Sequence, residues 1–187
     1  MRAPIGDFDD ALPAPDCLDL LTPPVAAAVR AWTGPVPADR ILYVDTDPAI
    51  ADTAVFVEHH GRALLDESAN CVVVAGKRGE TTTLAACVVK SASRVDVNGV
   101  VRKHLGSRKV RFAAMETATG DSGMEYGGIT PVGLPAEWAL LVDAAVVDTP
   151  WVLVGSGRRR GKIILPGKAF AQLPNAVVLE GLGLPAE

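Results

Sequence analysis

Cys71-Val-Val-Val-Ala75 and Leu84-Ala-Ala-Cys-Val-Val89 are two runs rich in β-branched residues, separated by the polar stretch Gly76 to Thr83. Residues of this type fit a pleated, buried surface, and two such runs around a short polar connection predict a β-hairpin. Asp96 then reads as the cap of a helix carrying Val97, Val100, Val101 and Leu105 and ending at Gly106, and Lys109 to Ala113 alternates as a strand with one wet face.

Upstream of the hairpin, Thr22 is placed to cap a helix that starts at Pro23 and stops before Gly34 and Pro35. Ile41 to Val44 predicts a strand. Asp47-Pro48 predicts a helix running to about His60 with Gly61 as its left-handed terminator, and His59 and His60 then sit where a helix dipole favours positive charge. Downstream, residues 120–135 read as a Gly/Pro-rich loop. Strands follow near Leu140 to Val142, Trp151 to Val154, Lys162 to Leu165 and Ala176 to Leu179, with a short helix near 167–173. Strands and helices mix without a regular βαβ period, which predicts a mixed α/β (α+β) fold on a curved sheet.

The chain has 187 residues, 49% of them hydrophobic and 21% charged, with a mean hydropathy of +0.24. That composition excludes disorder as the main state and predicts one domain over 1–187. No apolar run reaches the roughly 20 residues of a membrane span and the start lacks a signal-peptide core, so the expected location is the cytoplasm. Cys17, Cys71 and Cys87 are odd in number and without CxxC spacing, and the three histidines show no HxxH or HExxH pattern. Neither a disulfide framework nor a metal site is expected, and no cofactor is called for.

Charge divides the chain. Residues 1–76 hold 4 Lys/Arg against 12 Asp/Glu, whereas residues 77–111 hold nine bases against Glu80 and Asp96. Arg158, Arg159, Arg160, Lys162 and Lys168 form a second basic cluster. Such clusters can follow a phosphate backbone.

Two familiar motifs fail. Gly155-Ser156-Gly157-Arg158-Arg159-Arg160-Gly161 follows an apolar strand but leads into another strand and Pro166, where a dinucleotide fingerprint needs a helix N-terminus. Ser156 has Val154 where a nucleophile elbow needs glycine. The segment Gly123 to Pro135 is different in kind. Paired Gly127 and Gly128 let backbone N–H groups approach a ligand, and Pro131 and Pro135 stiffen the flanks. Donors fixed in this way can stabilise an oxyanion.

A hydrophobic hairpin, a helix and strand pair, Gly127-Gly-Ile-Thr-Pro131 as a G-x-x-x-P element, and a late strand ending in Gly155-Ser-Gly157-Arg158 together resemble the YbaK/EbsC family, the editing domain associated with prolyl-tRNA synthetase. The resemblance runs from about Thr22 to Leu182, which implies that 1–21 is an N-terminal extension of the domain. It implies a twisted, barrel-like mixed sheet with surrounding helices, and a trans-acting hydrolysis of the ester of mischarged aminoacyl-tRNA, with mischarged tRNA(Pro) one substrate, in the service of translation fidelity. It further implies that Gly127, Gly128, Ile129 and Pro131 form the catalytic loop, and that a substrate hydroxyl contributes to proton transfer. Asn70, Thr130, Gly155, Ser156, Gly157, Arg158, Arg159 and Lys162 are then the expected substrate-binding residues, the last three near the acceptor end, with an aminoacyl-tRNA synthetase as a further partner. Asn70 stands where many members carry a lysine that lines the pocket, and Lys90 is a second source of an ammonium group. An amide cannot neutralise charge, so the alternative is a non-catalytic aminoacyl-tRNA or nucleotide-binding module on the same scaffold.

Overall fold

The computed structural model describes residues 1–186; Glu187, the last residue of the expected domain, lies outside them. The hairpin forms from β3 (Ala69–Arg78) and β4 (Thr81–Lys90), antiparallel in register from Ala69–Lys90 to Arg78–Thr81. Two shorter strands precede it, β1 (Leu12–Pro13) and β2 (Leu42–Val44). The connection is tighter than the sequence suggested. The turn needs only Gly79 and Glu80, with Gly79 at φ +61°, and the threonines 81–83 are β-branched and continue the ladder.

Around the hairpin lies a five-stranded mixed sheet. Next come β5 (Ser93–Val95), β6 (Lys109–Phe112), β7 (Ala139–Asp143), β8 (Val152–Gly155), β9 (Lys162–Leu165), β10 (Ala176–Leu179) and β11 (Gly183–Pro185). The order is β10-β7-β4-β3-β6, with β7 parallel to β4 and β10, and β6 antiparallel to β3. Both faces are covered. Ala86, Val88, Leu140 and Val142 enter one core, whereas Ala85, Cys87, Val89 and Leu141 enter the other. Burial on both sides accounts for the unbroken apolar runs.

A second sheet, β1-β2-β9-β8, is antiparallel throughout and touches the first through a parallel bridge between Ser68 and Leu153. With the small β5–β11 pair, the described strands make three sheets and no closed barrel. The mixed α/β class is thus as expected, with two sheets joined at that bridge in place of one barrel-like sheet. The stretch expected as an extension folds into the body: Ala3, Ile5, Phe8 and Ala11 are buried with Leu42, Leu153 and Ile164.

The helices are short: α1 (Pro23–Arg30), α2 (Thr53–His60), α3 (Leu64–Glu67), α4 (Arg102–His104), α5 (Met115–Ser122) and α6 (Ala144–Val147). Thr22 occupies the N-cap position of α1 without a capping bond, and its buried hydroxyl has no partner. The single helix expected over 47–60 is divided. Asp47 accepts from Ala49 N and closes a 3-10 turn, after which Asp52 turns extended (φ −69°, ψ 132°) and α2 begins anew. Short polar residues favour such restarts because their side chains compete for backbone groups. Gly61 has a positive φ of 113° but lies outside the left-handed helical region. The Asp96 carboxylate does cap its helix, accepting from Gly99 and Val100, through a wide π turn over Val97–Val101. The loop expected from 120 starts later, since α5 runs through Gly120 to Ser122 before Gly123 ends it in the left-handed region. No helix among the described residues is long and apolar enough to cross a membrane.

Candidate functional site

β3 has β4 along its whole length on one side but an interrupted partner on the other. There Ser68 meets β8, and β6 joins only at Val74. The edge over Ala69 to Val72 therefore stays open between the two sheets, and a cavity of about 540 Å³ wraps it. Cys71, Val73 and Ala113 approach from the face that carries the main core, and Asn70, Val72 and Phe112 from the other. The far walls are Met115, Ala118 and Thr119 of α5, Phe56 and Val57 of α2, Tyr126, Gly127 and Ile129 of the glycine loop, and Leu153 to Gly155 with Lys162 from the second sheet.

The glycine loop is held by backbone contact with the Gly155–Arg160 turn. Glu125 N donates to Gly157 O at 2.8 Å, Gly157 N to Gly128 O at 2.8 Å, and Arg159 N to the Glu125 carboxylate at 2.8 Å. Glycine is required at the crossing, because a Cβ on Gly128 would collide with the Arg158 carbonyl and one on Gly155 with the Gly128 carbonyl. Gly128 N is itself bonded to Glu125 O at 2.9 Å and Thr130 N to the Met124 sulfur at 3.4 Å. Among the described residues, the N–H groups of Gly127 and Ile129 make no hydrogen bond within the protein, and both residues line the cavity. The donor pair available to a ligand is thus Gly127 with Ile129, rather than the two adjacent glycines.

Ser156 has a structural part. Its hydroxyl is wholly buried and donates among the carbonyls of Arg158, Arg160 and Gly161. The arginines beside it are tied down: Arg158 donates to the carbonyls of Asp19 and Leu21, Arg159 to that of Pro48, and Arg160 makes a two-point pair with Asp45. Arg160 holds the Asp45 carboxyl below the usual carboxylate range. Tyr43, which donates to Asp45 at 3.3 Å, has its pKa pushed up to about 12 by burial and by that carboxylate.

Lys162 differs from these bases. It is 8% exposed and faces the cavity, with Nζ 5.6 Å from the Phe56 ring centroid. Burial lowers its pKa, and Arg159 adds to the effect. The thiols are inert by comparison. Burial raises Cys71 strongly and Cys87 to about 12, so the cavity thiol is not a ready nucleophile at neutral pH.

Of the residues singled out in the sequence, Asn70, Gly127, Ile129, Gly155 and Lys162 meet at this cavity. Asn70 does so from the sheet face opposite to Cys71, since it pairs with Val89 whereas Cys71 pairs with Val88. Thr130 is fully buried with an unpartnered hydroxyl, and Pro131 lines a separate groove beside Trp32 and Trp138. Gly128, Ser156 and Gly157 form the joint between the two loops. Lys90 does not line the cavity. The α5 wall went unread because Met115-Glu-Thr-Ala-Thr-Gly-Asp-Ser122 has no apolar stripe. The inward aim of Lys162 was not legible, because Lys162-Ile-Ile-Leu165 shows no polar–apolar alternation and a lysine at a strand end ordinarily meets solvent.

The model of a known family, the aminoacyl-tRNA editing domain, matches residues 47–173, a span that takes in every wall of the cavity. Solved structures share the fold at low identity. One is described as a candidate trans-editing enzyme for prolyl tRNA synthetase (19% identity, TM-score 0.66, 86% of this chain and 97% of that one). Another comes from computational design that grafts epitope backbones onto scaffold proteins (17%, 0.68, 84% and 94%). A third is the hypothetical protein APE2540 (20%, 0.63, 77% and 91%).

Proposed function

The chain belongs to the aminoacyl-tRNA editing domain family, and on that premise we propose that it is a trans-acting deacylase, which hydrolyses the ester of mischarged aminoacyl-tRNA in the cytoplasm. The observation that carries the reading is the coincidence of the family match with a cavity edged by two free backbone donors, Gly127 and Ile129. In this reading the aminoacyl group enters between the sheets and its carbonyl oxygen faces those N–H groups. Water adds to the carbonyl, the negative charge that develops on oxygen is met by the two fixed dipoles, and collapse of the adduct expels the ribose oxygen as a hydroxyl. A hydroxyl of the substrate assists proton transfer.

Incubating the protein with a panel of mischarged tRNAs, tRNA(Pro) among them, and measuring release of free amino acid tests the proposal. Release above the spontaneous rate from at least one member is expected. Binding of the panel without any release would establish instead the binding module that the loss of the family lysine at Asn70 favours.

A further inference from the structure

Among the described residues, Lys162 is the one lysine that faces the cavity, and no carboxylate there neutralises it. No carboxylate lies within ion-pair distance among the described residues. Asp52, the acidic residue on the cavity wall, is exposed and turned to Arg159 at 3.9 Å. What surrounds the ammonium is Phe56 of α2, with Gly155 of β8 and Val44 of β2 beside its backbone. A desolvated cation without a counter-charge costs free energy, and the cost falls when an anion arrives. An aromatic face offsets only part of it.

We propose that Lys162 is the anion-binding point of the cavity, where its ammonium receives a phosphate or carboxylate group of the ligand. The inference deepens the editing reading and takes from it only that the cavity receives the aminoacylated acceptor end. That end offers two sources of such a group: a phosphate of its backbone, or the side chain of an acidic aminoacyl group. Arg159, already within reach of the same wall, can donate two N–H bonds at once to either group.

Binding of matched probes decides the matter without any hydrolysis being required. Adenosine 5′-monophosphate is compared with adenosine, and aspartic acid α-methyl ester with asparagine methyl ester, while the ζ-nitrogen and ε-carbon resonances of Lys162 are followed by NMR. Lys162→Met or Lys162→Arg identifies the signals by their loss. If the inference holds, one anionic probe binds about 10- to 100-fold tighter than its neutral partner and raises the Lys162 pKa. Lys162→Met brings the two affinities together and Lys162→Arg keeps them apart. A preference for the nucleotide assigns the group to the backbone phosphate, and one for the aspartyl ester to the aminoacyl side chain. Equal affinities within both pairs, or a preference that survives in Lys162→Met, overturns it. Deacylation that fails while the anion preference stands removes the editing reading alone. Deacylation without any such preference removes the role of Lys162 alone.

Discussion

Lys162 weakens the fold that carries it. Its charge is desolvated, and a methionine of similar length would fill the same space without that cost. Lys162→Met is therefore expected to raise the unfolding free energy in urea by roughly 1–3 kcal/mol. The pH dependence gives a second signature. The folded state releases this proton more readily than the unfolded chain, where lysine titrates near 10.5, so wild-type stability rises as pH climbs from the lowered pKa toward 10.5. The variant should lose that slope; a slope unchanged by the substitution would show that the charge is solvated after all. At the loop, replacing the Ile129 amide by an ester removes one N–H donor and no side chain. Deacylation should fall on the order of 10²- to 10³-fold with unfolding unaffected, and an undiminished rate would move the carbonyl site elsewhere.

Glycines of equal appearance in the sequence carry different burdens in the elements. Gly128 is pressed against the Arg158 carbonyl, so Gly128→Val displaces backbone and is expected to destabilise by about 1–3 kcal/mol besides abolishing turnover. Gly120 lies exposed inside α5 with open space where a Cβ would go, and Gly120→Ala should stabilise by about 0.5–1 kcal/mol. Thermal unfolding of the two variants, shifted in opposite directions, checks both. The hairpin was legible because β-branched runs covered on both faces leave a signature that survives without context. The division of 47–60 was not, since Asp47 and Asp52 both suit a helix start in sequence, whereas in the structure Asp47 makes a capping bond and Asp52 holds the N-cap position without one. For the same reason the free donors could not be read from Gly127-Gly128. Which N–H is already engaged depends on Glu125 and on a turn about thirty residues away in sequence.

Across the whole molecule, the charge division becomes a surface. Lys77 lies directly opposite Lys109, and Arg111 follows on the same face opposite Ala75; continuing that row leads to Val73 and Ala113 at the cavity. None of the three cations has an ion-pair partner among the described residues. Arg158 to Arg160, by contrast, are tied to carbonyls and to Asp45. Binding of tRNA should accordingly depend more on the strand row than on the arginine turn. Replacing Lys77, Lys109 and Arg111 by Ala should weaken affinity and flatten the plot of log affinity against log salt by about 2–3, at roughly 0.7–0.9 per phosphate contact. Arg160→Ala, which removes a charge already matched by Asp45, should change the slope little; the reverse ranking would place the RNA on the other flank.

Among the described residues the two sheets share one bridge, at Ser68 and Leu153, and otherwise keep separate ladders on either side of the cavity. Its opposing walls are for that reason independent in hydrogen bonding, although both pack into one core. A residue on the hairpin side such as Cys71, or on α5 such as Met115, can change in bulk while β8 and β9 stay in register. Lys162 can change while the five-stranded sheet keeps its order. A receptacle divided in this way lets its preference for one aminoacyl group over another be retuned from either bank, at little risk to the architecture of the opposite one.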